Sequence, residues 1–205
     1  MTRVLLTAFE PYGGWDTNSS WLALVELAKD LPRQPEVTTR RYPVDFAQVR
    51  ERLAQDLTRD YDFALHLGQA PDQAGIALEA VGLNVRSPAR NAEEGDFGPI
   101  VDDGPAAYFS ALPLSSLAAR LRAAGFPARV SHHAGTYVCN ATLYLAHYLV
   151  ERMALTTRIA FVHLPFETSQ VAAMPKPAPS LPATVTAAAL RELLAALAEL
   201  HALEV

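Results

Sequence analysis

The feature that most constrains this chain is the alternation of short apolar runs with stretches of helical periodicity. Arg3 to Ala8, Val37 to Tyr42, Phe63 to Leu67, Ile76 to Val85, Arg129 to Ser131 and Arg158 to Leu164 read as strands. Between them lie patterns of period 3.6. Asn18, Ser19 or Ser20 can cap a helix from about Trp21 to Lys29, which Pro32 stops. Asp45 with Gln48 resembles a capping box and opens a helix through about Leu57, with Phe46, Val49, Leu53 and Leu57 on one face. Leu114 to Ala124 is a helix closed by Gly125, Cys139 to about Met153 is another, and a last helix follows Pro182. Strands and helices interleaved in this way define an α/β layered domain rather than separate all-α and all-β parts. With 205 residues, half of them hydrophobic, one core suffices, so residues 1–205 are expected to form a single domain.

Three segments resist this pattern. Phe9 to Gly14 is a loop, because Pro11 lacks a donor and the paired glycines allow positive φ. From Arg86 to Pro105 the chain is polar, acidic and rich in Pro and Gly, a surface loop long enough to serve a site or an interface. Thr168 to Pro182, with four prolines, is a loop before the last helix.

Charge and cysteine usage narrow the function classes. A net charge of −5 without any Lys/Arg-rich run provides no footprint for nucleic acid or an anionic membrane surface. The most apolar stretch, Leu181 to Leu200, carries Arg191, Glu192 and Glu199 and reads as an amphipathic helix, not a span. The N-terminal apolar run is too short for a signal sequence. A single cysteine forms no internal disulfide, which suits a reducing, cytoplasmic compartment and makes Cys139 either inert filler or chemistry. No metal-ligand spacing such as His-x-x-x-His or Cys-x-x-Cys occurs, so neither metal nor organic cofactor is expected.

Three residue types then suggest a site. Cys139 falls where a turn gives way to a helix, near unpaired N–H groups and the positive end of the macrodipole, a setting that favours thiolate. His163 ends a strand just before Pro165, and the carboxyl ends of strands face the ligand crevice in α/β folds. His66, also near a strand end, and His132 and His133, shortly before Cys139, compete as the base. Glu79 interrupts an apolar strand; it faces solvent or pairs with an imidazole, since an unpaired buried carboxylate is costly. Together the three rebuild the logic of nucleophile, base and orienting acid.

Several motifs carry a resemblance to a known family. Phe9-Glu10-Pro11-Tyr12-Gly13-Gly14 with Asn18, Ile76-Ala77-Leu78-Glu79 with Asn84, Ala134-Gly135-Thr136-Tyr137-Val138-Cys139-Asn140 and Phe161-Val162-His163-Leu164-Pro165 resemble, in order, the motifs of the pyroglutamyl peptidase I family of cysteine peptidases. Gly68-Gln69 and Asp103 to Phe109 fit the same pattern. The resemblance implies a three-layer α/β/α fold with a mixed, mostly parallel sheet of the phosphorylase/hydrolase kind. It implies Cys139 as nucleophile, His163 as base and then acid, and Glu79 holding the imidazole. It also implies a lactam pocket of Phe9, Tyr12, Asn18, Gln69, Tyr137 and Val138, with Arg90, or Arg86 nearby, at the oxyanion. Peptides with an N-terminal pyroglutamate are the implied partners, and a homo-oligomer, by resemblance a tetramer, the implied assembly; the long loop and the last helix are its candidate contacts. Physical chemistry agrees with such a pocket, because a neutral lactam needs apolar walls and a few polar groups.

Three residues depart from the family pattern: Ala80 stands where relatives often carry arginine, and Tyr12 and Tyr137 where phenylalanine is frequent. Two rival readings keep the α/β fold. A nucleoside phosphorylase would need a phosphate-binding Gly-rich turn, for which Gly13-Gly14 alone is weak, and a non-catalytic binder of acyl-peptide ends would not need all three of Glu79, Cys139 and His163.

Overall fold

The computed structural model describes residues 1–71, 73–87, 97–172 and 174–203. Six strands form the central sheet: β1 (Arg3–Phe9), β2 (Glu36–Tyr42), β3 (Phe63–Gln69), β4 (Ile76–Glu79), β7 (Ala128–Ser131) and β8 (Arg158–Leu164), in the order β2-β1-β3-β8-β4-β7. The first four in that order run parallel, β4 is antiparallel to β8, and β7 is parallel to β4. The sheet is therefore mixed, mostly parallel, and its polarity reverses at the β8–β4 seam.

Both faces of the sheet are covered, which explains why the strands read as near-continuous apolar runs. Val4, Leu6, Phe63, Leu65, Ile76, Leu78 and Val162 point to one side, where α1 (Ser19–Ala28), α3 (Leu114–Ala123) and α6 (Ala183–Ala202) bury leucines such as Leu27, Leu121 and Leu194. Leu5, Phe9, Ala64, Ile159 and Phe161 point to the other, against α2 (Phe46–Asp56) and α4 (Val138–Arg152). Strand alternation thus sorts neighbours into two cores. Each fully buried leucine stabilises the fold by about 1.5–3 kcal/mol relative to leaving it exposed.

The capping expectations resolve cleanly. Asn18 is the cap of α1, its side chain accepting from Ser20 N, and Asp45 caps α2 by accepting from Gln48 N at 2.9 Å. A short 3-10 turn, Leu57–Arg59, continues α2.

Two expectations need correction. The run from Ile76 to Val85 is not one strand: it breaks at Ala80, and β5 (Val81–Leu83) leaves the main sheet to pair antiparallel with β6 (Ala107–Phe109). The break has a physical cause, since Ala80 N donates to Ser131 O while Ala80 O accepts from Ser110 N, turning the backbone between two partners. The segment from Thr168 to Pro182 is not all loop either. It holds the short helix α5 (Thr168–Ala172) and β10 (Ser180–Leu181), which pairs with β9 (Phe166–Glu167).

Candidate active site

The site grows out of the face of the sheet that α4 covers. On β8, Phe161 and His163 share that face. Gly68 on β3 lies opposite His163 from one side and Ala77 on β4 from the other. Glu79, two residues beyond Ala77, takes the diagonal position across the antiparallel seam, within reach of a long side chain. Its carboxylate meets the imidazole there: His163 Nδ1 lies 2.8 Å from Glu79 Oε1, with the two residues 6 % and 1 % exposed.

Cys139, the second residue of α4, lines the same cavity as His163 and lies close enough for its charge to act on the imidazole. No side chain caps α4, so its first N–H groups remain available beside the sulfur. The helix start is fixed from below by Asn140, fully buried, whose Oδ1 accepts from Leu83 N and whose Nδ2 donates to Leu83 O and Val85 O. This amide clasp on β5 sets where the Cys139 Cα lies.

The electrostatics follow from the order Glu79, His163, Cys139. Burial by itself lowers the basicity of His163, but the negative charge of Cys139, followed by the bond and charge of Glu79, outweighs burial and raises its pKa to about 9. Glu79 shows the converse. Burial pushes its carboxyl up, but the bond and charge of His163, helped by the Ser131 hydroxyl and Arg129, hold it below the ordinary carboxylate value. A protonated His163 beside an ionised Glu79 is the favoured state.

In front of these groups lies a cavity of about 300 Å³ lined by Phe9, Tyr12, Asn18, Gln69, Tyr137, Val138, Cys139 and His163, and also by Val44, Pro71, Gln73, His133 and Thr136. Phe9 packs edge-on to Tyr42 at 6.3 Å, and Tyr137 edge-on to Phe46 at 5.4 Å, so both aromatic walls are held rigidly. The Tyr12 hydroxyl donates to Gln69 O at 3.1 Å and ties the Phe9–Gly14 loop to the end of β3. Asn18 lines the cavity but spends its amide on the scaffold: Nδ2 donates to Glu10 O, and Oδ1 accepts from Ser20 N and Ser20 Oγ. The Gln69 Oε1 accepts from Ser19 N and Gln170 Nε2. Pro71 and Gln73 went unread in the sequence, although they directly follow the carboxyl end of β3, the edge where α/β folds place ligands. Arg90 lies outside the described residues; Arg86 sits over the Phe46 ring, at 5.9 Å from its centroid, and its Nε donates to Pro99 O.

The competing histidines separate. His133 lines the mouth of the cavity and is exposed, as is His132. His66 is fully buried one pleat deeper in β3, with Nδ1 2.8 Å from Thr7 Oγ1 and no hydrogen-bond partner for Nε2 among the described residues. Burial, then the nearby His147, pushes its pKa down to about 3. The unfolded chain binds the proton more readily, so His66 disfavours folding at pH values below the ordinary 6.5. The free energy of urea unfolding is expected to drop by about 2 kcal/mol between pH 7 and 5 on account of His66, and the slope should flatten in His66→Asn; a pH-independent wild type would contradict this.

A thiol and a carboxylate beside one imidazole, on a mixed α/β sheet, define the class of thiol hydrolases. The comparisons with known proteins give the family. The pyroglutamyl peptidase family model matches residues 2–200. A pyrrolidone-carboxylate peptidase of Streptomyces coelicolor is 41 % identical over 97 % of this chain and 93 % of its own length, and one of Thermococcus kodakarensis 38 % identical over 87 % of each. Among solved structures, a pyrrolidone carboxyl peptidase of Fervidobacterium islandicum superimposes with a TM-score of 0.90 at 33 % identity, covering 97 % of this chain and 99 % of that one. Pyroglutamyl peptidase I of Bacillus amyloliquefaciens gives 0.87 at 29 % identity, covering 97 % and 98 %. The chain belongs to the pyroglutamyl peptidase family, whose members remove the N-terminal pyroglutamyl residue from peptides. The phosphorylase and binder readings fall away.

Proposed function

We propose that Cys139, His163 and Glu79 carry this hydrolysis as nucleophile, acid–base and orienting carboxylate, within one catalytic domain that spans the chain. The observation that supports the assignment is one buried imidazole that bonds Glu79 at 2.8 Å and shares the lining of a single cavity with Cys139. The Cys139 thiolate attacks the pyroglutamyl carbonyl carbon, and the oxygen takes the charge beside the uncapped α4 N–H groups, the Cys139 N–H among them. Arg90 is proposed as a further oxyanion donor. As the C–N bond breaks, the His163 imidazolium passes its proton to the leaving amine. Water then attacks the thioester, His163 takes its proton, and the C–S bond breaks to free pyroglutamate and restore the thiolate.

Phe9, Tyr12, Asn18, Gln69, Tyr137 and Val138 form the proposed ring pocket, with Phe9, Val138 and the two tyrosines as walls and Asn18 holding the loop. A proline in this pocket would put a charged ring nitrogen against apolar walls and lack the lactam carbonyl. Pyroglutamyl anilide is therefore expected to be turned over at least about 10³-fold faster than prolyl anilide, with a burst and an acyl adduct on Cys139 seen by intact-mass spectrometry. Equal rates, or an adduct elsewhere, would overturn the assignment. We also infer residence in the cytoplasm, supported by the lone cysteine, and a homo-oligomer, supported by the family resemblance. No helix among the described residues is long and apolar enough to cross a membrane.

A further inference from the structure

Gly68 occupies mid-strand backbone near the end of β3 and does not have the positive φ that glycine alone adopts freely. Glycine in a strand interior weakens it, because its backbone loses more freedom on folding and it has no side chain to pack. Its presence there needs another reason, and the surroundings provide one. A Cβ at this position would lie 2.7 Å from both Cε1 and Cζ of Phe161 and 3.0 Å from the Cys139 sulfur. Real Cβ atoms essentially never come as close as 2.7 Å and rarely as close as 3.0 Å, so the ring edge fills, and the sulfur crowds, the space a side chain would take.

Both groups that fill it bear on the chemistry. The Phe161 ring packs against the His163 imidazole at 4.8 Å and against Phe9, a wall of the cavity, at 6.3 Å. Gly68 is also the residue paired with His163 across the β3–β8 ladder. A single missing methyl therefore sets the height of the sulfur above the sheet, the lean of the imidazole and the position of one pocket wall. Phe161 is fully buried and cannot swing away without opening a void in the core under α4.

We propose that Gly68 is a positioning residue: its lack of a side chain lets the Cys139 sulfur settle low enough against the sheet to meet His163. This rests on the assignment of Cys139 and His163 made above. The sulfur does not reach the imidazole from α4 alone; the strand floor beneath it has to be bare.

Gly68→Ala is expected to lower kcat for pyroglutamyl anilide by about 10²-fold, the scale of an ångström-sized misplacement of a reacting group, with a much smaller change in KM. The alkaline limb of the pH profile should shift down, because an imidazole parted from the sulfur loses the influence that most raises its basicity. A role in stability alone would lower the urea midpoint and leave kcat per folded molecule and the pH limb unchanged; that result overturns the proposal. Should Gly68→Ala fail to fold, the comparison moves to Phe161→Leu with and without Gly68→Ala. There the smaller side chain yields to the new methyl, and only the contact with sulfur remains. The double variant is expected to be at least about tenfold slower than Phe161→Leu, on the same misplacement argument; equal rates overturn the proposal. Should Cys139→Ala retain full turnover, the catalytic assignment itself falls. With Cys139→Ala inactive and Gly68→Ala fully active, only the role of Gly68 falls.

Discussion

Cys139→Ala is expected to lower kcat/KM for a pyroglutamyl anilide by about 10⁴-fold or more, because a nucleophile and its base act as one unit whose loss removes the covalent route altogether. The fold should survive the change. The sulfur is partly exposed and lies over the bare backbone of Gly68, and the start of α4 is held by the Asn140 clasp rather than by Cys139. The variant should therefore match the wild type in far-UV circular dichroism and lie close to it in urea midpoint. Substrate affinity should also persist, since the cavity walls Phe9, Tyr137 and Val138 do not depend on the sulfur. The variant removes the influence that most raises His163, so the histidine, titrated by NMR, should fall from about 9 towards neutrality. Turnover within tenfold of the wild type would refute the nucleophile assignment.

Glu79→Gln should cost roughly 10³- to 10⁴-fold in kcat, the scale on which an orienting carboxylate exchanged for an amide disturbs the tautomer and charge of its histidine. Glutamine retains an oxygen to accept from Nδ1, so the ring keeps a partner while the charge is lost. The pH dependence tests this directly. Expulsion of the amine needs the imidazolium, so wild-type kcat/KM should decline as the pH rises through about 9, where His163 gives up its proton. Without the charge of Glu79, burial weighs more heavily against the imidazolium, and that limb should move to lower pH. Glu79 also contributes to stability. Its carboxyl is held below the ordinary value, so the contribution is present above the unfolded carboxylate pKa and is lost as the pH falls through the folded one. An alkaline limb at the wild-type position in Glu79→Gln would show that the carboxylate does not act on His163.

Most of the scaffold is legible in the sequence, for reasons that differ by element. Strand Arg158–Leu164 is read to both ends because it is mid-sheet, buried on both faces and closed by Pro165. The capping of α2 by Asp45 is local chemistry, and local chemistry is what sequence records best. The break at Ala80 is not of that kind, since it depends on Ser110 and Ser131, residues far along the chain that only the assembled fold brings near. For the same reason β6 escapes notice, as three residues without a periodic signature become a strand only by pairing with β5.

The site divides along the same line. Cys139, His163 and Glu79 are marked by ordered motifs, but periodicity leaves Glu79 free to face either way. Its inward aim follows from the antiparallel seam, which no local pattern announces. The Tyr12 hydroxyl shows the limit of reading a departure from a family pattern. A tyrosine in place of phenylalanine adds a hydroxyl to a pocket wall, and in the fold that hydroxyl is a tether to Gln69 O.

Glu79 and His163 stand 84 residues apart in the chain and meet only across the seam where the sheet reverses direction. A nascent or partly folded chain contains the same thiol, but neither the paired imidazole nor the bare strand floor that receives the sulfur. On the proposed assignment the protein cuts nothing until its sheet is complete, and its activity arrives together with the cavity that restricts what it cuts.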